Sequence, residues 1–185
     1  MADGTKKVYL FLADGFEEIE GLMVVDLLRR AGISITTVSI TSNCEIRGSH
    51  GIFVKADGVM ADTDFSDAEM LVLPGGMPGT KNLAECEPLK RLLCDHYNNE
   101  GKIAAICAAP TVLSSLGLLK DKKATCYPAR LAELECREAS EESVVIDGNI
   151  TTSRGLGTAL KFALALIGQL ISEQKANEIA EQVVA

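Results

Sequence analysis

Histidine is scarce in this sequence: the 185 residues include two, His50 and His96. A mechanism that needs several imidazoles, as bases or as metal ligands, is short of material. None of the six cysteines (Cys44, Cys86, Cys94, Cys107, Cys126 and Cys136) pairs with another as C-x-x-C, which excludes a zinc ribbon and a thioredoxin-type motif. Six in a chain of this length is also too sparse for a small secreted scaffold held by disulfides. Positive charge is in deficit, with 18 Lys+Arg against 26 Asp+Glu and a net charge of −8. That balance argues against a nucleic-acid partner. No stretch approaches the roughly 18 apolar residues of a membrane span. The run Val8 to Ala13 is too short for a signal-peptide core, and acidic residues follow at once. No linker, repeat or low-complexity segment interrupts the chain. A cytoplasmic protein with reduced thiols is expected.

What is present is an ordinary globular composition, 47% hydrophobic and 24% charged, neither disordered nor fibrous. One domain over residues 1–185 is expected, burying roughly 70% of its unfolded surface without a metal or disulfide staple. Strand-like and helix-like segments alternate. Val8 to Ala13 reads as a strand buried on both faces, Glu18 to Ala31 as a helix ending at Gly32, and Ile33 to Ile40 as a second strand. Ile46-Arg47 and Ile52-Phe53-Val54 flank a glycine-rich hairpin loop that carries His50. Glu69 to Leu73 and Lys102 to Ile106 read as further buried strands, with helices from Pro88 to about Asn98 and from Ala108 to Leu116. Asp147-Gly148 marks a second hairpin. A helix from about Gly157 to Ile171 is apolar almost all round, as expected of a central element or a subunit interface, and a shorter helix closes the chain. The pattern predicts an α/β fold: a doubly wound, mostly parallel sheet with helices on both faces and the two hairpins as side additions.

Three predicted strand ends carry reactive groups. Cys107 stands where a strand gives way to a helix, in Ile106-Cys107-Ala108-Ala109-Pro110, where small neighbours permit a tight turn and a helix N-terminus favours a thiolate. Glu17 and Glu18 complement the dipole of the first helix. Glu20, among Ile19, Gly21, Leu22 and Met23, is placed to have a raised pKa and to act as a proton donor. Pro74-Gly75-Gly76 can aim backbone N–H groups at a developing oxyanion. The other five cysteines have no such setting, and His96, on a charged helix, is expected to be solvated.

Four segments, Gly15-Phe16-Glu17-Glu18-Ile19-Glu20, Leu73-Pro74-Gly75-Gly76, Ala104-Ala105-Ile106-Cys107-Ala108-Ala109-Pro110 and Thr152-Ser153-Arg154-Gly155-Leu156-Gly157-Thr158, resemble in order the motifs of the ThiJ/PfpI family and its DJ-one-like branch. The resemblance implies a flavodoxin-like fold of the class I glutamine amidotransferase type, usually homodimeric. It further implies Cys107 as the reactive cysteine, Glu20 as its hydrogen-bonded acid, the Gly76 and Ala108 amides as an oxyanion hole, and Arg154 as an arginine near the pocket and interface. Three departures stand out. Ala108 occupies the place of the histidine found in protease-like members, Tyr127 that of a histidine after the next strand, and His50 that of an arginine in the early hairpin.

Cofactor- and metal-free chemistry on small reactive aldehydes, or on their early adducts with amines and thiols, is therefore expected. Cys107 would serve as nucleophile and Glu20 as proton shuttle. The alternatives are a redox-sensing stress chaperone with an oxidisable Cys107, a protease, amidase or thiazole-biosynthesis role, which Ala108 weakens for the protease, and a flavodoxin-like module with an inert thiol.

Overall fold

The computed structural model describes residues 7–185. Its centre is a seven-stranded sheet in the order β10-β11-β7-β6-β1-β2-β5. These strands are Val144–Asp147 (β10), Ile150–Ser153 (β11), Lys102–Ile106 (β7), Ala68–Leu73 (β6), Lys7–Leu12 (β1), Ser34–Ser39 (β2) and Gly58–Val59 (β5). All neighbours pair in parallel except β10, which runs antiparallel to β11. Glu45–Arg47 (β3) and Phe53–Lys55 (β4) form a separate antiparallel hairpin, and Lys123–Ala124 (β8) pairs with Glu138–Ala139 (β9). The helices are Glu18–Arg30 (α1), Gly79–Glu85 (α2), Glu87–Asn98 (α3), Pro110–Ser115 (α4), Ala159–Leu170 (α5) and Glu173–Gln182 (α6).

The alternation of side chains along a strand builds two cores. Val8, Leu10 and Leu12 of β1 face α1 and α5, packing with Val24, Leu28, Phe162 and Leu166. Tyr9 and Phe11 face the opposite layer, with Leu83, Leu89, Leu93 and Leu113 from α2, α3 and α4. The predicted α/β class, the mostly parallel sheet and the helices on both faces are all present. Among the described residues no helix is long and apolar enough to cross a membrane.

Three local expectations are corrected. The second hairpin is no side addition: β11 pairs in parallel with β7, Ile150 opposite Ile103 and Ser153 opposite Ile106, and is buried throughout. Its turn is Gly148-Asn149, because Asp147 still pairs with Ile150. The helix after Cys107 begins at Pro110, not Ala108, since residues 106–109 are used in a turn closed by Ala109 N–H to Ile106 O at 3.1 Å. The apolar helix α5 lies between α1 and α6, which accounts for apolar side chains on more than one of its sides.

Candidate active site

The adjacent parallel strands β11, β7, β6 and β1 all end on one edge of the sheet, the edge where open α/β sheets bind ligands. Their last residues deliver, in order, the Arg154-Gly155 loop, Cys107, the Gly75-Gly76 turn and the approach to α1.

Cys107 has φ +64°, a left-handed conformation that a side chain disfavours. Two neighbouring segments pin it there. Its N–H donates to Ser153 O at 2.9 Å, and its carbonyl accepts from Tyr127 N–H at 2.7 Å. The strained turn lifts the thiol out of the strand in the manner of a nucleophile elbow. Sγ meets the Ala108 and Gly76 N–H groups and the Glu20 carboxyl.

Glu20 comes from the first turn of α1 and is 1% exposed. Its Oε2 accepts from Gly75 N–H at 3.0 Å, and the Leu156 N–H also reaches the carboxyl. Glu17 caps α1, with Oε2 accepting from the Glu20 N–H at 2.7 Å. Burial, reinforced by the nearby Glu17 charge, raises the Glu20 pKa to about 7 against hydrogen bonds that lower it. Burial, then the Glu20 charge and hydrogen bond, push the Cys107 thiol up to about 12, while the Ala108 and Gly76 amides pull the other way. The Coulombic share of that push exists only while Glu20 is ionised. The carboxyl and the thiol therefore titrate as a pair, and once the first proton has left, the one that remains is shared between them.

The helix N-terminus expected to favour a thiolate is not what faces the sulfur. The structure reassigns that role, because α4 has six residues and starts three positions after Cys107. Two individually placed amides face the sulfur instead.

Gly75 and Gly76 are required by close approach. A Cβ on Gly75 would stand 2.6 Å from both Cys107 Cβ and Glu20 Oε2, and one on Gly76, at φ +93°, would stand 2.3 Å from Glu17 N.

His50 is brought to Glu18 and Glu17 rather than to the thiol. Nδ1 lies 3.0 Å from Glu18 Oε2 and 3.9 Å from Glu17 Oε1. Burial alone would raise the Glu18 pKa. Hydrogen bonds from the His50 ring and main chain, its own N–H and the Ile52 N–H outweigh it and hold the carboxyl at about 2. Glu18 therefore clamps the loop between β3 and β4 and is a residue the sequence undervalued. The ligand atoms of Glu17, Glu18 and His50 lie within 4.8 Å of one another, the one such group among the described residues, and Glu18 and His50 spend theirs on each other.

Arg154 sends Nη1 to Glu141 O at 3.0 Å, so the part of its loop that faces the thiol is the next residue, Gly155. A Cβ there would stand 3.9 Å from Cys107 Sγ and 3.6 Å from Tyr127 Cδ2. Tyr127 thus borders the site. It shares with Arg154 and residues 155–158 a cavity of about 390 Å³. Gly75, Gly155 and the Leu156 amide act through the backbone, and the one signal for them in the sequence is a glycine after a buried strand.

With this geometry in view, the comparisons with known proteins are decisive. The family model described as "DJ-1/PfpI family" matches residues 6–169. The chain belongs to the DJ-1/PfpI family. It is 39% identical to "Protein DJ-1 homolog B" of Arabidopsis thaliana over 100% of this chain and 42% of that protein, so it spans less than half of that relative. It is 30% identical to the "Glutathione-independent glyoxalase DJR-1.2" of Caenorhabditis elegans over 97% of this chain and 96% of that one. Among solved structures, "Toxoplasma gondii DJ-1, oxidized" superposes with a TM-score of 0.93 at 35% identity, covering 97% of this chain and 98% of that one. The fold is thus the DJ-1/PfpI fold, of the flavodoxin-like, class I glutamine amidotransferase-like kind.

Proposed function

We propose that this DJ-1/PfpI protein is a cofactor-independent, cysteine-dependent enzyme of the glyoxalase/deglycase type, acting on methylglyoxal, glyoxal or their early adducts. One observation carries the reading: a buried carboxyl, its pKa raised by burial to about 7, is hydrogen-bonded to a thiol that also faces two backbone amides. The name of the nematode relative, a glutathione-independent glyoxalase, supports it.

The reactive tautomer places the shared proton on Glu20 and the charge on Cys107. The thiolate attacks the aldehyde carbon, forming a C–S bond, while the Gly76 and Ala108 amides receive the oxyanion. Glu20 protonates that oxygen, giving a hemithioacetal. Its carboxylate then takes the C1 hydrogen as a proton and returns it to C2 through an enediol. The resulting thioester is cleaved by water, which breaks the C–S bond and releases a 2-hydroxy acid. The sequence is an internal isomerisation plus hydrolysis, and no outside oxidant or reductant enters.

Lactate formed from methylglyoxal by wild type and by Cys107→Ser tests the reading. A loss of about 1,000-fold or more is expected for removal of a nucleophile, and equal rates would sink it.

A second reading has its own support: with the shared proton on Glu20, the Cys107 thiolate faces the Ala108 and Gly76 amides, and such a thiolate is what peroxide oxidises. Intact mass after mild peroxide should show two oxygen atoms added at Cys107. The exposed apolar side chains Ile19 and Leu22 on α1, with Ile52 and Phe53 on the β3–β4 hairpin, support a homodimer through that face. Sedimentation of wild type and Phe53→Ser checks it. The reading places the protein in the cytoplasm.

A further inference from the structure

We propose that the cavity beside Cys107 is a subsite for an aromatic substituent on the 2-oxoaldehyde, with Tyr127 and Leu156 as its walls. This rests on the aldehyde reading above and adds the substrate class to it.

The point where a Cβ of Gly155 would stand lies 3.6 Å from Tyr127 Cδ2, 3.8 Å from Glu20 Oε1 and 3.9 Å from Cys107 Sγ. Ring, acid and thiol therefore border one small space beside Gly155. Its place is fixed from behind by its N–H on the Cys107 carbonyl at 2.7 Å and by Pro128 after it. Beyond the ring the cavity of about 390 Å³ opens between Tyr127, Pro128 and Leu156 over Gly155 and Gly157. Nothing lies within 4 Å of where a Gly157 side chain would begin, so there is room above the backbone.

Tyr127 and Leu156 are 48% and 51% exposed. Two large, mostly apolar side chains thus stand in water on the lining of this cavity, next to Gly155. An aldehyde carbon bound at Sγ, with its oxygen toward the Gly76 and Ala108 amides, has its remaining substituent directed past Gly155 into this space. A methyl group leaves most of the cavity to water. A phenyl ring covers Leu156 and stacks on Tyr127, the offset arrangement aromatic pairs prefer. A second cavity, about 470 Å³, is lined by Asp14, Arg47, Ser49, Met77 and Pro78 among others and has no aromatic ring in its lining to stack against.

The test compares kcat/KM for phenylglyoxal and methylglyoxal in the full chain. Wild type should favour phenylglyoxal by about tenfold or more, the scale on which apolar pockets discriminate. Tyr127→Ala and Leu156→Ala should each cut that ratio about tenfold, and Tyr127→Phe, which keeps the ring, should preserve it. A turnover-free arm separates this inference from the aldehyde reading: mandelate and lactate, the corresponding 2-hydroxy acids, are tested as protectants of Cys107 against iodoacetamide. Mandelate should protect at about tenfold lower concentration in wild type and Tyr127→Phe, and lose that advantage in both alanine variants. Equal protection by the two acids, or a mandelate advantage that both alanine variants retain, overturns the subsite. The expected protection pattern without turnover of either aldehyde overturns the enzymatic reading and leaves the subsite standing.

Discussion

The Gly75 N–H donates to Glu20 Oε2 at 3.0 Å, tying the acid on α1 to the loop after β6. A side chain at Gly75 would stand 2.6 Å from that oxygen and from Cys107 Cβ, and 3.0 Å from the Ile106 carbonyl. Gly75→Ala should therefore separate thiol from acid. Expected are a loss of about 1–3 kcal/mol in denaturant unfolding, as for an overpacked core, and a drop of more than tenfold in lactate formation. Wild-type values in both would contradict the close approach.

The left-handed backbone at Cys107 gives a prediction that inverts a general trend. Glycine normally costs about 0.5–1 kcal/mol relative to alanine. At φ +64° the ranking should reverse, with Cys107→Gly more stable than Cys107→Ala by roughly 1 kcal/mol because the strain is relieved. Urea midpoints of the two variants decide it.

Glu20 predicts a pH effect. Its native pKa of about 7 lies above its ordinary 4.5, so between those values the native state holds a proton that the unfolded chain has released. Its contribution is full below pH 4.5 and is lost as pH rises to about 7. The size is at most on the order of 3 kcal/mol. Glu20→Gln should remove that part of the slope from the stability profile. The wild-type inflection near pH 7 in Cys107 alkylation should disappear with it.

Glu18 runs in the opposite sense. Its carboxyl is held at about 2, so its hold on the His50 and Ile52 amides is full above pH 4.5 and is lost as pH falls toward 2. Glu18→Gln should speed hydrogen exchange at those two amides about tenfold at neutral pH, the size of one weakened charge-assisted bond. Unchanged protection would show that the hairpin holds its loop without the clamp.

Much of this molecule was legible in advance, for identifiable reasons. Buried parallel strands are continuous apolar runs, so Val8 to Ala13 and Lys102 to Ile106 declared themselves, and a cysteine directly after such a run lies at the ligand-binding edge. Errors fell where the deciding contact is distant in sequence. The Ile150–Ser153 strand joins the main sheet because it pairs with β7 nearly fifty residues earlier. The seven-residue α2 has too few buried positions, Gly79, Thr80 and Leu83, to print a period on the chain.

Local pattern was enough for the layered α/β architecture and for four motifs that single out Cys107 and Glu20 as candidates, because periodicity and residue type are local properties. The tertiary structure decided how those groups behave. It buried Glu20 beside Glu17 and so raised its pKa, sent His50 to Glu18, turned Arg154 toward Glu141, and left Gly155 beside the sulfur with Tyr127 bordering the same space. These outcomes depend on desolvation and on single backbone amides from other strands, and no local pattern of side chains records either.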